Sequence, residues 1–484
     1  MSMVPDSRTR RRNALGDINA PSPGRRTSRC RYLCPLLRSL GTAGYGGQPV
    51  VKAGKNSPAD CCKKHTGVAF AVQIQQAVQG QHEREQQVSQ MNREPSSGLR
   101  DDASPAPASA EIAPAGQESM PAQPETTPAA ERVTYSMSPG LPGFLGAQRI
   151  ALAASSYQSG KFYLLGQNVD GGLLVDERFF RKAMGICVPD QDTILLATLF
   201  QIVRFKNVLN EGEQINNVFD ACYVPRETYV TGEIDAHDVG VLRDGRVVFV
   251  NTLYNCLATP SQRHSFAPLW KPPFISAIVK EDRCHLNGLA MADGVPRYVT
   301  AVSRSDTIDG WRDRRASGGV VVDVQTGEIV IGGLSMPHSP RIYRDRLWLL
   351  NSGTGELGWI EPGAGGGAAK FHVLAFCPGF LRGLAFHGDH AFVGLSKPRY
   401  QRFEGLALDR KLTDADSEPW CGVQVIDLNS GACVHWFRLD GAVAELYDLA
   451  IVPGAMRPMA LGFASNEILG LITHDPLADG ALPS

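Results

Sequence analysis

Three histidines, His237, His285 and His338, each open a short segment of common design: "HDVGVL", "HLNGLAM" and "HSPRIY". Three further segments, "KAMGICV", "FLRGLAF" and "ELYDLAI", put Lys182, Phe380 and Glu445 at the equivalent place. Neutral imidazoles converging from neighbouring units can ligate zinc or another divalent transition metal with one position left open, and Asp238 or Glu445 could orient or supplement them. On this reading His237, His285 and His338 are metal ligands. A second reading needs no metal. His285 or His338, with Asp238, does general acid–base work, while Arg304, Arg341 and Arg382 hold the carboxylate or phosphate of a ligand. Asn287, Asn351 and Tyr447 fall at neighbouring positions and complete the ligand-binding candidates. A third reading is structural, in which channel histidines satisfy backbone groups and waters.

These residues meet only if the elements carrying them repeat. Taking the fourth residue of each segment as an anchor gives Gly185, Gly240, Gly288, Arg341, Gly383 and Asp448, spaced by about 53 residues on average. A turn and a second apolar run follow most segments, as in "DQDTILLATLF", "RDGRVVFVNTL", "RDRLWLLNSG" and, less clearly, "MRPMALGFAS". Outer hairpins lie between them, clearest in "GVVVDVQTGEIVIGG" and "GVQVIDLNSGACVHWFRL". Two hairpins per repeat make a four-stranded meander, and six meanders make an all-β, six-bladed β-propeller. A pair of β-sandwiches would not explain a sixfold recurrence. An outer-type hairpin comes first and an inner-type segment last, so the ring closes in permuted fashion, by pairing the two chain ends within one blade. Residues entering the innermost strands and leaving the second strands then share one channel mouth.

The propeller is expected over residues 136–475, followed by a tail, 476–484. Residues 1–135 have a basic start with Arg10, Arg11 and Arg12, then a Pro/Ala/Ser/Glu-rich run, and should be disordered. Met91 marks an alternative start, which would make 1–90 a mis-assigned extension; the rival role for those residues is a nucleic-acid or anionic-surface arm. Neither a signal peptide nor an apolar run long enough to span a membrane is legible. A net charge of −1 argues against a nucleic-acid partner for the propeller. Eleven cysteines, an odd count without zinc-knuckle spacing, read as free thiols in a reducing, cytoplasmic setting. "GTGELG" and "GAGGG" look like phosphate loops but lack a following helix and Walker lysine, and read as hairpin turns. The insertions "WKPPFIS" and "GWRDRRASGG" are candidate lids over the mouth.

The runs "LWKPPFISAIVKEDRCHLNGLAM", "SRSDTIDGWRDRRASGGVVVDVQTGEIVIGGLSMPHSPRIY", "LNSGTGELG" and "PGFLRGLAF" resemble an uncharacterised bacterial family of conserved hypothetical proteins, a domain of unknown function, over roughly residues 140–465. The resemblance implies a six-bladed propeller and no particular reaction. Gluconolactonases and streptogramin lyases are more distant propellers with a divalent ion on the channel axis; their carboxylate-rich mouth is not matched here. Two functions compete. One is a small-molecule-binding or enzymatic propeller that grips an anionic ligand at a His/Arg mouth. The other is a scaffold for a protein or polysaccharide, with structural histidines and a rim that includes Trp311 and Arg312.

Overall fold

A computed structural model describes residues 132–363, 367–398 and 403–475. Most of the extension anticipated as disordered, together with the 476–484 tail, lies outside these residues. The described chain forms six antiparallel sheets of four strands, two of them widened by a fifth, arranged as a six-bladed propeller. Each of the six recurring segments supplies an innermost strand: Ile186–Asp190, Ala236–Val241, Leu286–Ala292, Pro337–Tyr343, Phe380–His387 and Asp448–Pro453.

Closure is permuted as expected. The last of these strands, Asp448–Pro453, pairs antiparallel with Ile150–Ser156, and Lys161–Gln167 and Leu173–Phe179 complete the blade. One assignment needs correction. The second strand of this closing blade is "IALAASS", not the run containing "MRPMALGFAS". Within the latter, Pro458–Ala460 instead runs parallel to Ala221–Val230 along the outer edge of the next blade. On the opposite side Thr134–Met137 covers the outer edge of the last blade by pairing with Cys433–Asp440. The chain ends thus shield two sheet edges that would otherwise present unpaired backbone groups.

The strands read as nearly continuous apolar runs because each blade is covered on both faces. In Lys161–Gln167, Phe162 and Leu164 pack with Ile194 and Phe205 of the following blade, while Tyr163 and Leu165 pack with Phe392 and Phe437 of the preceding one. Similar clusters fill the other interfaces between blades. The anchor glycines have a related cause. A β-carbon on Gly185 would lie 2.9 Å from Asp238 Cα, one on Gly288 2.3 Å from Pro340 Cδ, and one on Gly383 2.6 Å from Leu449 N. Inner strands approach the axis too closely there for a side chain. Among the described residues, all seven cysteines are free and no helix is long and apolar enough to cross a membrane.

Candidate functional site

The two non-glycine anchors, Arg341 and Asp448, meet inside the channel. Arg341 Nη1 lies 2.9 Å from Asp238 Oδ2, and its Nη2 lies 3.6 Å from Asp448 Oδ1. Asp238 also accepts the N–H groups of Val239 and Leu289, and Asp448 those of Ile186 and Leu449. Five inner strands are thereby tied to one ionic hub. Burial pushes the Asp448 carboxyl up, against the opposing pull of Arg341. Asp238 and Arg341, expected as a catalytic acid and a ligand clamp, are instead occupied with each other.

Above the hub the histidines come together. The rings of His237 and His285 meet edge to face at 4.9 Å, and His237 also meets Tyr447 at 5.5 Å. Asn287, His338, Ser339, Arg382 and Tyr447 line the same small cavity as His237, and Asp238 and Asp448 of the hub line it too. Backbone irregularity aims these side chains. His285 itself has a φ of 51°, and the registers slip between Leu286 and Gly288 and between His338 and Arg341.

Each imidazole is fixed through Nδ1. His237 Nδ1 lies 3.0 Å from Asp235 O and His338 Nδ1 2.8 Å from Met336 O, the carbonyl two residues upstream in both cases. The residue carrying that carbonyl has a positive φ each time. His285 Nδ1 uses a carboxylate instead, Asp282 Oδ2 at 2.7 Å. Carbonyls only accept, so on His237 and His338 Nδ1 carries the proton and the neutral ring leaves Nε2 as an acceptor. Burial, with help from Arg382, holds His338 well below the ordinary histidine range. His237 is likewise depressed by burial, then by His285 and Arg382. Both are therefore neutral bases at physiological pH.

Arg382 is buried, 8% exposed, yet makes no ion pair with any described residue. Its guanidinium sits 4.7 Å from the centre of the Tyr447 ring and 5.7 Å from that of Phe380. Three polar atoms around it are buried without a hydrogen-bond partner: His338 Nε2, Asn287 Nδ2 and the Tyr447 hydroxyl. Asn287 Oδ1 is already engaged, accepting from Thr300 Oγ1 at 2.5 Å. Burial raises the Tyr447 phenol well above its usual value, so it stays protonated.

Two other candidates lie outside the cavity. Asn351 accepts from Ser335 N at 2.7 Å and faces Glu356 at 3.3 Å, holding a turn, and Arg304 is exposed on the loop after Val295–Ala301 rather than lining the cavity. Glu445 accepts from Ser156 Oγ and Gln158 N. Among the described residues, no group of three or more His, Cys, Asp or Glu side chains is placed to hold a metal ion. Trp311, from the "GWRDRRASGG" insertion, stacks on His285 at 4.2 Å and roofs that side of the mouth. Asp282 is invisible to the repeat because it lies outside the recurring segment; the Asp-x-x-His spacing is its only signal.

Comparison with known proteins assigns no reaction. No curated protein matches the chain significantly. Among solved structures, a nidogen/laminin complex chain is 13% identical with a TM-score of 0.40, covering 63% of this chain and 99% of its own. Virginiamycin B lyase from Staphylococcus aureus, solved with quinupristin, is 10% identical with a TM-score of 0.31, covering 64% and 99%. A gluconolactonase from Xanthomonas campestris is 12% identical with a TM-score of 0.36, covering 62% and 87%. The model of one family matches residues 139–461, two-thirds of the chain, and by that match the protein belongs to the domain-of-unknown-function family DUF4915.

Proposed function

We propose that this protein is a small-molecule-binding propeller that captures the anionic group of its ligand at the channel mouth, with Arg382 as the recognition cation. The observation that carries the reading is the buried guanidinium, which makes no ion pair with any described residue, while Asp238 and Asp448 of the same cavity are engaged by Arg341. Desolvating a cation is costly unless something neutralises it, so a site that keeps one unpaired beside unpartnered polar atoms is built for an anion. Asn287 Nδ2 and the Tyr447 hydroxyl stand ready as further donors. The same guanidinium disfavours a metal at this mouth, because it would add a second positive charge among the imidazoles.

The test is calorimetric titration of the full chain with acetate, sulfate and inorganic phosphate, beside Arg382→Gln. Binding of at least one anion by the native protein, weakened tenfold or more in the variant, is expected. Equal affinity in both proteins, or no binding of any of the three at 50 mM or above, roughly the ceiling for weak anion sites, overturns the reading.

A further inference from the structure

The channel mouth and the ionic hub beneath it share one buried space. Asp238 and Asp448 line the same cavity as Arg382, so an anion drawn to that guanidinium lies against the hub. Arg341 serves both carboxylates, at 2.9 Å from Asp238 Oδ2 and 3.6 Å from Asp448 Oδ1. One guanidinium between two carboxylates leaves the hub a negative charge in excess, and the longer contact leaves more of it on Asp448. Arg382, which makes no ion pair with any described residue, brings the cavity to two cations and two carboxylates. A bound anion upsets that balance with a third negative charge in a space where water does little to screen it.

Resting on the anion-capture reading above, we infer that the hub is a proton switch for the site: Asp448 takes a proton from solution when an anion binds at Arg382, and the anion is released as the pH rises. The groups that face Asp448 leave few other places for that proton. Tyr447 and Cys187 already carry theirs, burial having raised both. The neighbouring strands Leu286–Ala292 and Ile150–Ser156 have no titratable side chain. His237 and His338 are held low by burial and take a proton only in more acid solution, and His285, bonded to Asp282, lies outside the cavity. That leaves the two carboxylates, of which Asp448 has the longer contact with Arg341. Burial raises the Asp448 carboxyl, Arg341 opposes the rise and Asp238 adds to it. Its Oδ2 accepts from Ile186 N at 2.8 Å and keeps a second lone pair for the proton. The neutral acid removes the surplus charge of the hub, so the protonated form holds an anion more tightly.

A pH-stat titration of the full chain in unbuffered solution tests this, with acetate and sulfate as probes because neither titrates near neutrality. Between about pH 5.5 and about pH 9, uptake should peak at roughly 0.5–1 proton per anion bound, and affinity should fall by up to about tenfold per pH unit over the same range. Asp448→Asn carries the charge and shape of the protonated acid, so its uptake above neutrality should drop below about 0.2 proton and its affinity there should no longer change with pH. Should the variant fail to fold, infrared difference spectra of the native protein with and without sulfate replace it. The carbonyl stretch of a protonated carboxyl should appear on binding, and its absence overturns the inference. Anion binding without proton uptake at any pH overturns the switch and leaves anion capture standing. Uptake that survives in Asp448→Asn overturns it in favour of Asp238 or the histidines. Failure of both anions to bind at every pH overturns the two readings together.

Discussion

Replacing Arg382 by methionine should make the protein more stable while removing the proposed anion binding. Methionine keeps the length and apolar bulk of the stem, and Phe380 and Tyr447 still pack against it. What disappears is a buried charge with no ion pair among the described residues, and an uncompensated buried charge carries an effective penalty of several kcal/mol in proteins. Against this stands the loss of two cation–π contacts, worth about 0.5–2 kcal/mol each. The net gain is about 1–3 kcal/mol, or roughly 2–6 °C in Tm for a domain of this size. The substitution also carries a pH signature. His338 and His237 titrate below the unfolded value of about 6.5, so between that value and their folded pKa the unfolded chain binds protons that the folded chain refuses. Their stabilisation is complete above pH 6.5 and declines as the pH falls, by about 1.4 kcal/mol per pH unit for each histidine. Burial is the larger cause and survives the substitution, so Arg382→Met should raise the folded pKa values and narrow the pH range over which stability is lost, without abolishing it. Urea unfolding at pH 8 and pH 5.5 measures both effects. A variant less stable than the native protein at pH 8 by more than about 1 kcal/mol would refute the claim that the guanidinium is an unneutralised charge.

Two structural predictions concern the channel. Arg341→Met leaves Asp238 and Asp448 facing each other without their shared cation, and should lower stability by about 3–5 kcal/mol in urea unfolding. A loss below about 1 kcal/mol would mean that the hub does not tie the strands together. Gly288→Ala drives a methyl into Pro340 and Thr300 Oγ1, and should destabilise by about 1–3 kcal/mol or more. Because Gly288 adjoins Asn287, the same variant should also weaken anion binding; intact affinity in a destabilised protein would place Asn287 outside the site.

Much of the fold is legible in the amino-acid sequence, and the rest is hidden for physical reasons. All six inner strands and the clustering of His237, His285 and His338 follow from one repeat, and the segments anchored by Gly185, Gly288 and Gly383 meet a common constraint: neighbours too close for a side chain at the fourth residue. Arg341 and Asp448 break the glycine rule, and no sequence pattern reveals their pairing because it spans the channel between blades far apart along the chain. Asn351 has the right type and spacing, yet its side chain is taken up by a turn, which depends on where Ser335 N points. "IALAASS" does not announce itself as the closing blade's second strand, since fully buried strands show no alternation and nothing local distinguishes them from neighbouring apolar runs. Arg382 stands out by type and position, but that it makes no ion pair with any described residue depends on how Arg341 engages Asp238 and Asp448.

The permuted closure makes one segment serve two purposes. Glu445 and Tyr447 lead directly into Asp448–Pro453, the strand that locks the ring, and Tyr447 is also the surface on which Arg382 lies. The clasp of the bracelet is thus part of the proposed ligand cradle. A ligand that binds only the fastened form must tighten the clasp by mass action, and any fraying of the last strand must dismantle the cradle. Ring integrity and occupancy are then two readings of one equilibrium, and hydrogen exchange along Asp448–Pro453 becomes a gauge of ligand binding at a site several residues away.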